Sequence, residues 1–281
     1  MSTAAEHAAG LLSQADALVV AAGAGIGVDS GLPDFRGDAG FWTAYPALGQ
    51  QGIAFHKVAS PDTFRCQPRL AWGFYGHRLA LYRGTQPHAG FGLLRRWARA
   101  MSQGAFVYTS NVDGQFQGAG FDEDRVMECH GSIHHLQCSL PCGDPIWSAD
   151  DLVPQIDAER CRWLGDLPLC PHCGALARPA ILMFGDGEWS PRRSDEQQVR
   201  LERWLCSVRR PVVVEIGAGT AIPSVRDFVD QVLDKPGARL VRINPRESEV
   251  AGSADIGLPF GALEGLRRID AALGADFGDQ R

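Results

Sequence analysis

The sequence predicts an α/β fold, a doubly wound, Rossmann-like parallel sheet with a small inserted zinc-binding module and a helical insert. Three observations carry this. Short apolar runs at Ala17–Ala22, 105–108, Pro211–Ile216 and Arg239–Ile243 suit strands buried in a parallel sheet. Each run leads into a Gly, Asn or Asp cluster and then a helical pattern, so ligands are expected at the strand C-termini. The stretch 133–180 breaks this alternation with four cysteines, several prolines and little helical periodicity.

Residues 3–15 read as a helix with Ala8, Leu11, Leu12 and Ala15 on one face. The first strand runs directly into Gly23-Ala24-Gly25-Ile26-Gly27. Residues 41–85 are rich in Trp, Phe and Tyr, with helical spacing at Leu70, Phe74 and Leu81. The third strand meets Gly217-Ala218-Gly219, the fourth meets Asn244-Pro245, and 261–273 reads as a closing helix. The expected division is a nucleotide-binding domain over 1–40, 86–132 and 181–281, a helical insert over 41–85 and a small four-cysteine zinc module over 133–180.

The chain has 281 residues, 45% of them hydrophobic, enough for a sizeable core. A net charge of −6 argues against bulk attraction to nucleic acid or an anionic membrane, so neither is expected as a direct partner. The N-terminus lacks a cationic start before an apolar stretch, and no apolar run is long enough to span a bilayer. The expectation is a cytoplasmic protein, in which eight cysteines point to metal or thiol chemistry before disulfides.

Four motifs carry chemistry. The glycine loop at 23–27 suits close approach to a pyrophosphate, although a tight turn alone would explain it equally well. Ser110-Asn111-Val112-Asp113-Gly114 puts an amide and a carboxylate at a strand end; an Asx-type helix cap reads the same residues. Glu128-Cys129-His130-Gly131-Ser132 offers a general base, with His134 and His135 competing on chemistry alone. Cys138, Cys142, Cys170 and Cys173 form CxxxC and CxxC pairs, which fit one tetrahedral zinc better than a redox pair. Four sulfur ligands leave no open position, so this zinc is expected to be structural.

In this order, the motifs resemble the Sir2 (sirtuin) family over about residues 15–270. Gly23, Ala24, Gly25 and Ile26 with Asp34, Phe35 and Arg36 resemble its cofactor-binding loop. Ser110, Asn111 and Asp113 resemble the nicotinamide-pocket motif, and His130-Gly131-Ser132 the catalytic motif. Phe184-Gly185-Asp186 resembles the substrate strand. Gly217-Ala218-Gly219 with Ile243-Asn244 resembles the segments that hold the second phosphate and adenosine, and Ala254-Asp255-Ile256 the adenine-side segment. The resemblance implies NAD-dependent deacylation of an acyl-lysine protein or peptide. The acyl oxygen attacks the nicotinamide ribose carbon and nicotinamide leaves. His130 then takes a proton from a ribose hydroxyl.

Departures stand at Gly27 for a usual Ser, Ser110 for Gln, Gln115-Phe116 for Leu-His, Asp186 for Glu, and Gly217-Ala218-Gly219 without the usual hydroxyls. Tyr75-Gly76-His77-Arg78 resembles the Tyr-x-x-Arg of relatives that remove succinyl, malonyl or glutaryl groups, and its place in the chain favours this reading over a packed Tyr beside a surface Arg. Two other classes stay open at this point: an ADP-ribosyltransferase or NAD hydrolase using the same pocket, and a non-catalytic NAD sensor.

Overall fold

The computed structural model describes residues 3–33, 37–140, 142–143 and 145–278. In chain order its first half holds α1 (Ala4–Gln14), β1 (Ala17–Ala22), a 3-10 helix (Ala24–Ser30), α2 (Gly37–Ala44), α3 (Pro46–Gln50), α4 (Phe55–Val58), α5 (Pro61–Cys66), α6 (Pro68–Gly84), α7 (Ala89–Ala100), β2 (Ala105–Thr109), α8 (Gln115–Gly118) and β3 (Val126–Glu128). There follow β4 (Gly131–Cys138), β5 (Ile146–Ser148), β6 (Ile156–Asp157), β7 (Arg162–Trp163), β8 (Ala177–Ile181), α9 (Arg192–Ser207), β9 (Pro211–Ile216), α10 (Ser224–Leu233), β10 (Arg239–Ile243), β11 (Ile256–Leu258) and α11 (Ala262–Leu273).

One six-stranded sheet has the order β11-β10-β9-β1-β2-β3, and every neighbouring pair is parallel. All six residues of β1 and of β9 are buried, which is why both read as near-continuous apolar runs. Glu215 in β9 is the exception: it is fully buried and held by Arg226 at 3.2 Å and Arg242 at 2.9 Å. Helices α1, α7 and α11 cover one face of the sheet, and α9 and α10 the other. The predicted first helix starts at a capping box, in which Thr3 and Glu6 satisfy each other's backbone N–H groups.

The strand order reverses between β9 and β1, and ligands of open parallel sheets bind at such a point beyond the strand C-termini. The glycine turns after β1 and β9 therefore leave the sheet side by side.

The helical insert and the cysteine-rich segment, read separately in sequence, build one common core. The Trp72 indole donates to the Ala177 carbonyl at 2.9 Å, and Gly73 lets α6 touch the backbone of Cys161. Among the described residues, no helix is long and apolar enough to cross a membrane.

Candidate active site

A cleft of about 710 Å³ opens at the switch point, between the parallel sheet and the shared core of the two inserts. Its lining includes Gly23, Ala24, Gly25, Ser110, Asn111, Asp113, His130, Gly217, Ala218 and Gly219, so the structure brings together residues from several strand ends. Tyr75, Arg78 and Phe184 line it as well.

The two glycine turns lock together. Gly23 N–H donates to the Ile216 carbonyl at 3.0 Å, and Gly25 N–H to the Gly217 carbonyl at 3.1 Å. Side chains have no room there: a Cβ on Gly23 would lie 2.8 Å from the Ala218 Cα. Gly23 leads into the short 3-10 helix. Ile26 turns into the core under the loop and does not reach the cleft lining. Asp34, Phe35 and Arg36 lie outside the described residues.

At the end of β2, the Asn111 Nδ2 donates to the Gly23 carbonyl at 3.1 Å and so ties this strand to the first glycine turn. Asp113 Oδ1 accepts the Gln115 N–H at 2.9 Å, so the Asx-type turn exists and its carboxylate still borders the cleft. Burial pushes the Asp113 carboxyl up to about 6, against the opposing pull of the Gln115 N–H.

His130 sits between β3 and β4. Its backbone carbonyl accepts the Leu182 N–H at 3.0 Å, and its Nε2 lies 3.0 Å from the Ser224 hydroxyl. Burial lowers its pKa, and the backbone of Ser110 acts in the opposite direction. His134 and His135 stand elsewhere. The His134 Nε2 meets the Asp113 carbonyl at 2.9 Å, and neither ring belongs to the cleft lining. Burial drives His135 down to about 4, with Arg193 adding to the shift.

Arg78 is buried to 9% exposure on α6. Its Nε and Nη2 donate to the Tyr82 hydroxyl at 2.8 and 2.5 Å, and its guanidinium lies 5.3 Å from the Phe74 ring centre and 6.0 Å from that of Tyr75. Burial keeps the Tyr75 and Tyr82 phenols protonated, with Arg78 pulling the other way. Arg78 is thus no surface side chain.

Phe184 faces the cleft at 41% exposure and stacks edge-on against Phe55. Gly185, at φ +66°, turns the chain behind it and is not part of the lining. Asp186 anchors this turn through a buried pair with Arg178 at 2.7 and 3.0 Å. Asn244 supports the site from below: its Nδ2 donates to the Ala218 carbonyl at 2.8 Å, and its Oδ1 accepts from Arg246 and Glu247 N–H. Ile256 lies in the edge strand, away from the lining.

Sequence reasoning missed Tyr82, Ser224, Arg246 and residues 220–222. Tyr82 could have been found, since it stands four residues after Arg78 on the same helix face. Ser224 carries no local signal, because its partner lies far back in the chain.

The four cysteines converge. Cys138 and Cys173 Sγ are 3.6 Å apart, Cys142 and Cys170 Sγ 3.7 Å, and all four sulfurs fall within 4.8 Å of one another. Tetrahedral zinc with bonds of about 2.3 Å needs sulfurs roughly 3.8 Å apart, so the set fits that ion. Gly174, at φ +73°, closes the second knuckle with its N–H on the Cys170 carbonyl. The cluster and His130 lie at opposite ends of β4, whose eight residues extend roughly 25 Å.

A model of the Sir2 family matches residues 23–200. An NAD-dependent protein deacylase of Aeropyrum pernix is 29% identical over 274 residues, covering 96% of this chain and 98% of the relative. NAD-dependent protein deacylase 2 of Pyrobaculum aerophilum is 31% identical over 264 residues, covering 94% and 93%. A crystal structure of a Sir2 homologue in complex with NAD aligns with a TM-score of 0.72 at 24% identity, over 96% of this chain and 95% of that one.

Proposed function

The chain belongs to the Sir2 family, and from that premise we propose that its cleft performs NAD-dependent deacylation of lysine in a protein or peptide. One observation carries the reading: Asn111, Asp113, His130 and both glycine turns border a single cleft at the switch point of the sheet.

The turns at 23–25 and 217–219 would hold the pyrophosphate, because their bare backbones allow an anion to approach closely. Asn111 and Asp113 would receive the nicotinamide amide. Bound NAD supplies a ribose carbon that becomes electrophilic as nicotinamide departs. His130, neutral near pH 7 because burial lowers its pKa, is suited to take a proton from a ribose hydroxyl. Leu182 and Phe184 give the mouth of the cleft an apolar wall for an acyl-lysine stem. The zinc would be structural, holding the insert core from which Tyr75 and Arg78 project.

The finer reading concerns the acyl group. A desolvated guanidinium and protonated phenols at Tyr75 and Tyr82 support a short dicarboxylic acyl chain, such as succinyl or malonyl, over acetyl. Four of the eight cysteines form the candidate zinc cluster and the other four carry free thiols, which supports a reducing compartment such as the cytoplasm.

The test is product analysis by mass after incubation with NAD and acyl-lysine peptides. Acyl-ADP-ribose with free lysine is expected. ADP-ribosylated protein or free ADP-ribose, with the peptide unchanged, would overturn the reading in favour of transferase or hydrolase chemistry.

A further inference from the structure

The backbone of His130 is fixed on both sides. Cys129 N–H donates to the Thr109 carbonyl at 2.9 Å, and the His130 carbonyl accepts from Leu182 at 3.0 Å. Neither bond sets the rotation of the imidazole. Ser224 does reach the ring, with its Oγ 3.0 Å from Nε2. Ser224 is the first residue of α10, and the N-cap before it is Pro223, which has no side chain able to cap the helix. The Ser224 hydroxyl is directed at the ring of a residue 94 positions earlier.

We infer that Ser224 is a positioning residue for His130, its hydroxyl donating to Nε2 and, with the Ser110 backbone on the ring, fixing the rotation and tautomer of the imidazole. A neutral imidazole carries one proton. If Nε2 accepts from Ser224, that proton sits on Nδ1 and Nε2 is the basic nitrogen, held in one orientation before substrate arrives and yielded by Ser224 to the ribose hydroxyl for proton transfer. The bond favours the neutral ring, in the same direction as burial, and opposes the influence of the Ser110 backbone. This inference rests on His130 acting as the base.

Other charged groups border the ring's surroundings: Asp113 from the β2 end, Arg78 from α6, and Arg246 and Glu247 from beyond β10. Cys129 adjoins it along the chain. All are common to parent and variant, so a difference between the two isolates the hydroxyl.

The experiment compares the parent with Ser224→Ala and Ser224→Thr. The His130 imidazole is titrated by NMR without substrate, its signal assigned by its loss in His130→Ala. In Ser224→Ala the His130 midpoint should move to higher pH, and Ser224→Thr should restore it. Steady-state turnover should show kcat down about tenfold, the scale of one lost hydrogen bond, with KM for NAD within about twofold. An unmoved midpoint in Ser224→Ala overturns the inference whatever the reaction proves to be. So does a moved midpoint with unchanged kcat. Full turnover by His130→Ala would instead defeat the general-base reading, and the titration would still report on the contact. If Ser224→Ala fails to fold, Ser224→Cys carries the same two measurements, with the weak thiol donor expected to raise the midpoint and lower kcat.

Discussion

Gly25 and Gly217 meet backbone against backbone, so closely that a β-carbon on Gly25 would lie 2.6 Å from the Gly217 Cα, and one on Gly217 would press still closer to Gly25. Gly217 also sits at φ +62°, a conformation that strains any other residue. This contact joins the two turns that border the cleft. Gly217→Ala should therefore lower the melting temperature and weaken NAD binding at least about tenfold, as one turn is driven off the other. Gly219→Ala meets open space within the fold and should leave the melting temperature unchanged. Calorimetric titration with NAD and thermal unfolding of both variants check this.

Asp113 gives the site a pH signature. Its folded pKa, raised to about 6, lies above the unfolded value, so burial favours the protonated form. The group's favourable contribution is complete below about pH 4 and is lost as pH rises through about 6. Ionised Asp113 then costs the fold on the order of 2 kcal/mol, after allowance for its partial exposure. Asp113→Asn should match the parent near pH 4 and be the more stable protein at pH 7.5. Identical stability differences at both pH values would count against the strain. A carboxylate held at such cost fits a residue kept for the nicotinamide, and the variant should lose turnover despite its stability.

The histidines separate by their contacts. His130→Ala should lower kcat at least about a hundredfold while NAD still binds. His134 holds the Asp113 carbonyl and lies against Gly114, so His134→Ala should act mainly through KM as the 111–114 turn loosens. A greater kcat loss from His134→Ala or His135→Ala than from His130→Ala would assign the base elsewhere.

Much of this arrangement was legible because buried parallel strands leave a simple mark. β1, β9 and β10 have the bounds expected from their apolar runs, since a strand covered on both faces admits few polar residues. Paired cysteines with knuckle spacing gave the metal cluster for a similar reason: four ligands in two turns have few other uses. The helix α9 did not stand out, because charged residues on its exposed face dilute the apolar stripe. Ser224 was invisible, as only the return of α10 over the sheet brings it to His130. The common core of the two inserts was equally hidden, since it depends on Gly73 and Gly76 admitting β6 and β7 against α6. Ile26 and Ile256 pack toward the core, a direction that a motif does not give.

The sulfur geometry predicts one zinc per chain by elemental analysis. Cys170→Ser should lose the metal and most of the folded stability, because Cys170 is buried and the ion holds both knuckles at the end of β4 and before β8. Chelation of the parent should reproduce the loss, and near-UV circular dichroism would follow it through Trp72 and Trp163, which pack 5.5 Å apart in the shared core. A zinc-free protein with an unchanged spectrum would remove the structural role.

The acyl pocket supplies the last prediction. Arg78 is held by the Tyr82 hydroxyl, under Phe74 and Tyr75, at the cleft wall. A succinyl carboxylate reaching it would form a charge-assisted hydrogen bond worth about 1.5–3 kcal/mol, or roughly tenfold to a hundredfold in kcat/KM over acetyl. Acetyl-lysine offers no charge to match the guanidinium. Succinyl-lysine peptides should therefore be the better substrates, and Arg78→Met should reverse the order, since it removes the cation and keeps the side chain apolar and long. Tyr82→Phe separates direct from indirect effects. It leaves the guanidinium in place and removes the hydroxyl that orients it, so succinyl turnover should fall by about tenfold or less while acetyl turnover changes little. Equal rates for the two peptides in the parent, or equal losses for both in Arg78→Met, would show that Arg78 supports the wall and does not select the acyl chain.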